Sequence, residues 1–231
     1  MRKIFLGFLL FLVVLVAAAA LAPFLFKDKL RALADKQIAQ RVRAKVQYNP
    51  ADIDVTLLST FPDLGLDIKN LRVIGVDSFS RDTLAYLPRL RVGLDLMSVI
   101  KGQQIDIKSI ALDQPDIAVK VLKSGRANWD IMISDSAAAS KGQDTSAVNL
   151  AIRGWEIADG RLRYDDHSIP FSLDARDINH TGKGDFAKNI FDLTSNTKIA
   201  KLTANYAGVD YLTDKQVAAD IAMNMDLGKS L

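Results

Sequence analysis

The sequence predicts a mainly β protein: a curved, repetitive antiparallel sheet with an open groove, preceded by a transmembrane helix and an amphipathic helix. Three observations lead there. The chain opens with 23 uncharged residues from Ile4 to Phe26, continues with apolar residues at helical spacing to about residue 46, and alternates with period 2 from Asp52 onward.

At about 1.5 Å per residue, a helix over Ile4 to Phe26 reaches roughly 34 Å. A hydrocarbon core is about 30 Å thick, so residues 1–26 read as a membrane anchor. The alternative is a cleaved signal, because Ala17 to Ala20 and Ala22 are small. The run exceeds the usual apolar region of such signals, and Pro23 fixes the backbone after Ala22. Residues 1–26 are therefore expected to stay on the mature chain. Basic residues after Phe26 outnumber those before Ile4, and charge counting alone places the body in the cytoplasm.

Residues 27–47 form the second segment. Leu30, Leu33, Ala34, Ile38, Val42 and Val46 recur at three- and four-residue spacing, with the basic residues mostly around the rest of the wheel. From Lys27 to Val46 there are seven basic and two acidic residues, while the whole chain carries +3. That concentration suits anionic headgroups better than nucleic acid. The helix either caps the end of a β core or lies at the bilayer surface, and the two roles are compatible. Asn49-Pro50 ends it.

The β body divides into residues 48–133 and 149–231, joined by a flexible loop at 134–148 that lacks periodicity. Ile53, Val55 and Leu57 alternate with polar residues, as do Leu64, Leu66 and Ile68, then Leu90, Val92, Leu94 and Leu96. Ser98 to Gly102 reads as a turn. Strands follow at 104–112, 115–122, 149–157, 160–166, 169–179, 188–197, 199–206 and 216–227, and no helix is expected beyond residue 46. One phrase recurs at residues 66–73, 105–112 and 150–157: apolar, any, Ile, basic, any, apolar, any, apolar. Its slip of parity implies a bulge or bend in mid-strand, which a curved sheet needs.

Reactive chemistry is sparse. The chain has no cysteine, and its histidines are His167 and His180. Asp165-Asp166-His167 reads as a polar turn rather than a ligand set, and Gly182-Lys183-Gly184 as a turn. Catalytic and phosphate-binding signatures are missing from the sequence. Basic residues lack the aromatic interleaving of nucleic-acid binders. The expectation is a protein that is not an enzyme, with no catalytic, cofactor or metal site and no nucleic acid partner.

Pro115 to Val121 followed by Lys123 to Ile131, with Gly125, Asn128 and Trp129, resembles the AsmA family, whose members carry a strand opening with Pro, a Gly turn and Asn-Trp. Leu57 to Pro62 upstream, and Leu162 to Asp166, Tyr211 to Lys215 and Ile221 to Asp226 downstream, are similar to the same family. The resemblance implies an inner-membrane anchor, a periplasmic body in a two-membrane bacterium, and a role in outer-membrane biogenesis. It also implies kinship with TamB-like and bridge-type proteins whose groove conducts lipid. On orientation the resemblance is followed over the charge count. Family members usually continue for hundreds of residues, so this chain is expected to be an N-terminal portion.

The residues expected to line the groove are Leu66, Ile68, Ile105, Ile107, Ile117, Val119 and Val121, with phospholipid acyl chains as the partner. The alternative is a filled sandwich acting as an anchored scaffold for an envelope-assembly protein. Alternation alone fits both. Trp129 reads as a plug at the end of a β core.

Overall fold

The structure, a computed structural model, describes residues 27–28, 30–57, 60–101, 105–131, 133 and 148–226. The expected anchor lies outside them, as do most of the 134–148 loop and residues 227–231. Among the described residues no helix is long and apolar enough to cross a membrane.

Among the described residues, helix α1 (residues 30–41) leads into ten strands, all in one large curved sheet. They are β1 (Lys45–Gln47), β2 (Ile53–Thr56), β3 (Asp63–Ile74), β4 (Thr83–Asp95), β5 (Ile105–Asp113), β6 (Asp116–Val121), β7 (Val148–Asp166), β8 (Phe171–Lys183), β9 (Ile190–Tyr206) and β10 (Val209–Asp226). Helix α2 (Leu96–Lys101) follows β4. Across the sheet, β1 and β2 share one side of β3, and then come β4, the β5–β6 pair, β7, β8, β9 and β10.

Several expectations are corrected. The sheet is mixed: β5 and β6 both pair with β7 in parallel. The chain leaves β6 at one end of the sheet and must return to the other before β7 starts, and parallel neighbours require such a crossover. On its way back it passes the end of α1, where the Arg43 N–H donates to Ile131 O and the Ile133 N–H to Arg41 O. The first helix stops short of residue 46, because Lys45–Gln47 pairs with β3. Residues 149–166 form one strand rather than two, residues 190–206 likewise, and β10 begins at Val209.

A second helix, Leu96–Lys101, takes the place of most of the turn expected at Ser98 to Gly102. Asp95 caps α2 by accepting from the Ser98 N–H at 2.8 Å, while the Ser98 hydroxyl donates back to Asp95 O at 2.7 Å. This short helix sends Val99 into the core. Leu30, Val55, Leu64, Leu94, Val99 and Ile105 form that core, with Leu33, Leu57, Leu66, Val92, Leu96 and Ile107 packed around it. Helix α1 thus caps the sheet, with Leu30 buried and Arg31, Lys36, Arg41 and Arg43 exposed. Leu30 at the start of α1 and all of α2 lie over one end of the sheet, the helix end, while Arg43 just after α1 reaches Asp77 at the opposite, far end.

The parity slip expected in the first copy of the phrase falls at Asn70, and left-handed residues outside the other two copies continue it across the sheet. Asn70, Gln114, Asp159, Asp177 and Asp214 all have φ between 49° and 56°. Register places them close to one line: Pro88 stands between the flanking pairs of Asn70, Gln114 follows Asp113 at the same level, and β7 continues the line at Asp159. A left-handed residue in mid-strand shifts the facing by one place. Apolar residues therefore recur three apart across it, as in Ile68/Leu71, Ile157/Gly160 and Ala175/Ile178. Asn and Asp tolerate this conformation better than branched residues do. Asp177→Val is expected to cost about 1–2 kcal/mol and Asp177→Gly to be neutral or mildly stabilising, as read by urea midpoints.

Candidate functional site

Register puts two unlike faces on this sheet. One carries charge. Arg89 donates to Asp67 and sits beside Asp113, which also accepts from Arg91 at 2.7 Å. Arg163 reaches Asp116 at 2.9 Å, and Arg161 and Arg176 both engage Asp174. In the second copy of the phrase, the slip is a bulge at Lys108, whose ammonium reaches Asp63 at 2.8 Å and Asp95 at 2.6 Å. Those carboxylates hold the Lys108 pKa above its ordinary value, Asp63 foremost.

The other face is aliphatic, and it is covered only in part. At the helix end of β2 to β5, α1 and α2 seal it. At the helix end of β7 to β9, Phe186 packs edge-on against Trp155 at 5.7 Å and against Phe191 at 4.8 Å. At the far end, Trp129 lies against Tyr164 at 6.2 Å, and Tyr164 against Phe171 at 6.0 Å. Between these covers lies an open trough of about 550 Å³. Its lining includes Pro115 and Ile117 from the β5–β6 strip, Ile157 and Leu162 from β7, Leu173, Ala175 and Ile178 from β8, and Ile199 and Leu202 from β9. His180 and Thr197 join at its helix end.

The seven residues expected to line a groove divide among these zones. Ile105 is buried in the capped core, with Leu66 and Ile107 packed against it. Ile68 and Val119 are half-buried on the same face, and Ile117 lines the open trough. Val121 is buried at the far end, where it bridges to Ala127. Most of the trough comes instead from β7, β8 and β9. The signal for those strands was present in the spacing 157/160/162 and 197/199/202, once the slip of parity is allowed for.

The Asn-Trp pair builds the far end. Gly125, at φ 80°, closes a turn in which the Leu122 N–H donates to Arg126 O. Asn128, 2% exposed, accepts from the Lys120 N–H at 2.9 Å and donates to Ala118 O at 2.7 Å. Its amide so satisfies backbone groups of β6 beyond the reach of β4. Trp129, 43% exposed, then leans on Tyr164 from outside rather than being buried as the plug of a core.

Asp166 organises the β7–β8 turn. It accepts from the Ser168 hydroxyl, the Tyr164 hydroxyl and the N–H groups of Ser168 and Ile169, which hold its pKa down to about 2. Arg161 foremost, with Arg176, does the same for Asp174, also to about 2. The unfolded carboxyl titrates near ~3.9. A folded pKa below the unfolded one contributes stability above about pH 4, which is lost as pH falls toward about 2. Urea midpoints measured from pH 5 to 2 should fall with acid, and Asp174→Asn should flatten that slope.

A family model described as the AsmA family matches residues 1–231. The chain belongs to the AsmA family. Comparison with curated proteins and with solved structures gives no match. For this AsmA-family chain, the most specific part of the motif, Gly125 to Ile131, is thus the element that finishes one end of the trough.

Proposed function

We propose that this protein is a membrane-anchored periplasmic component of outer-membrane biogenesis that binds or conducts phospholipid, with acyl chains seated in the trough. The observation behind this reading is the aliphatic concavity itself. It is open and flanked by aromatic clusters, in a sheet whose opposite face is laced with ion pairs. A contiguous exposed apolar surface of this kind marks a ligand or partner site. Membership of the AsmA family is consistent with it. The reading involves no reaction. Basic side chains on the outer side of α1 suit anionic headgroups, which would hold the trough near the inner membrane. Organic extraction of protein purified in mild detergent, followed by mass spectrometry, tests this. Stoichiometric phospholipid is expected, and protein free of lipid would refute it.

A second reading, a scaffold that binds a protein in envelope assembly, draws on β10. Tyr211, Ile221 and Met223 are exposed there, and one edge of the strand is unpaired among the described residues. Such an edge is a template for strand addition.

A further inference from the structure

Apart from Arg161, the described lining of the trough is aliphatic along its length except where His180 and Thr197 face each other across β8 and β9. Those two side chains are linked to Trp155. The Trp155 indole nitrogen lies 2.8 Å from His180 Nε2, and His180 Nδ1 lies 2.8 Å from Thr197 Oγ1. An indole N–H can only donate, so Nε2 must supply the lone pair and the imidazole proton sits on Nδ1. Nδ1–H in turn donates to Thr197 Oγ1. The Thr197 hydroxyl proton then has no acceptor among the described residues.

Trp155 is itself fixed in place. Gly182 is a strand residue rather than part of a turn, and a Cβ there would come within 2.0 Å of the indole ring. The indole therefore lies directly on Gly182, with Phe186 against it. The chain of donors has one direction, and it ends in the trough.

We propose that Thr197 is a docking point for the ester carbonyl of an acyl lipid, so that the trough registers the lipid rather than merely greasing its passage. This rests on the lipid-binding reading above and names the polar group which that site recognises. A lone donor among aliphatic side chains suits a neutral acceptor attached to hydrocarbon. A phosphate would lack a counter-charge: Arg161 is the one charged residue in the described lining, and Asp174 binds its guanidinium at 2.9 and 3.0 Å.

The test is competition against a fluorescent fatty-acyl probe on the full chain in detergent, using diester phosphatidylcholine and its diether analogue of equal chain length. One hydrogen bond to a carbonyl should make the diester about fivefold the better competitor. Thr197→Val, close in shape, should abolish that preference. Trp155→Phe, which keeps an aromatic cover but lifts the constraint on the histidine tautomer, should reduce the preference. Equal competition by the two lipids in the wild type, or a preference that survives Thr197→Val, overturns the docking point while leaving lipid binding intact. Failure of the probe to bind at all overturns the lipid reading and this proposal with it.

Discussion

Leu64→Ala should lower the unfolding free energy by about 3 kcal/mol, whereas Ile199→Ala should cost only about 1 kcal/mol. Leu64 is 0% exposed, at the centre of the cluster that α1 and α2 close with Leu30 and Val99. Truncating it leaves a cavity that surrounding side chains cannot fill. Ile199 is half-buried in the open trough, where truncation deepens a space already reached by solvent. Urea titration of both variants reads the contrast directly. Equal losses would mean that the face is sealed along its whole length, as in a filled sandwich.

A charge separates stability from binding more sharply. Ile199→Glu should melt within a few degrees of the wild type, because the carboxylate can remain hydrated in an open concavity. The same carboxylate set against an acyl chain would be desolvated without a partner, so co-purified phospholipid should fall at least about tenfold. Global unfolding of this variant would place Ile199 in a core. Retention of lipid would put the ligand elsewhere.

Much of this architecture could be read from residue patterns. Period-2 alternation named most strands, and the spacing of Leu30, Leu33 and Ile38 gave a helix with an apolar stripe, which proves to be the cap. The parity slip in the recurring phrase pointed to bends in mid-strand. The slips outside the phrase were hidden because Asp159, Asp177 and Asp214 look like ordinary wet-face residues, although their backbones turn left-handed. Parallel pairing of β5 and β6 with β7 depends on a long-range crossover, which no local pattern encodes. Helix α2 was legible in principle, since Asp95 stands three residues before Ser98, but six residues are too few for a periodic signal. The residues expected to line a groove share the aliphatic face. Which of them stay open was decided by tertiary packing: α1 and α2 over Leu66, Ile105 and Ile107, and Ala127 beside Val121. His180 carried no local hint of its role, because Trp155 and Thr197 meet it only through register.

The central claim is that one face of the sheet holds lipid and the other does not. Adjacent residues of β9 test it, because Ile199 faces the trough and exposed Lys198 lies on the opposite side. A photo-activatable side chain placed at 199 or at 198 in the full chain, irradiated in membranes and analysed by mass spectrometry, should give phospholipid adducts at 199 and none at 198. Absence of adducts at 199, or equal yields at the two positions, would contradict the account.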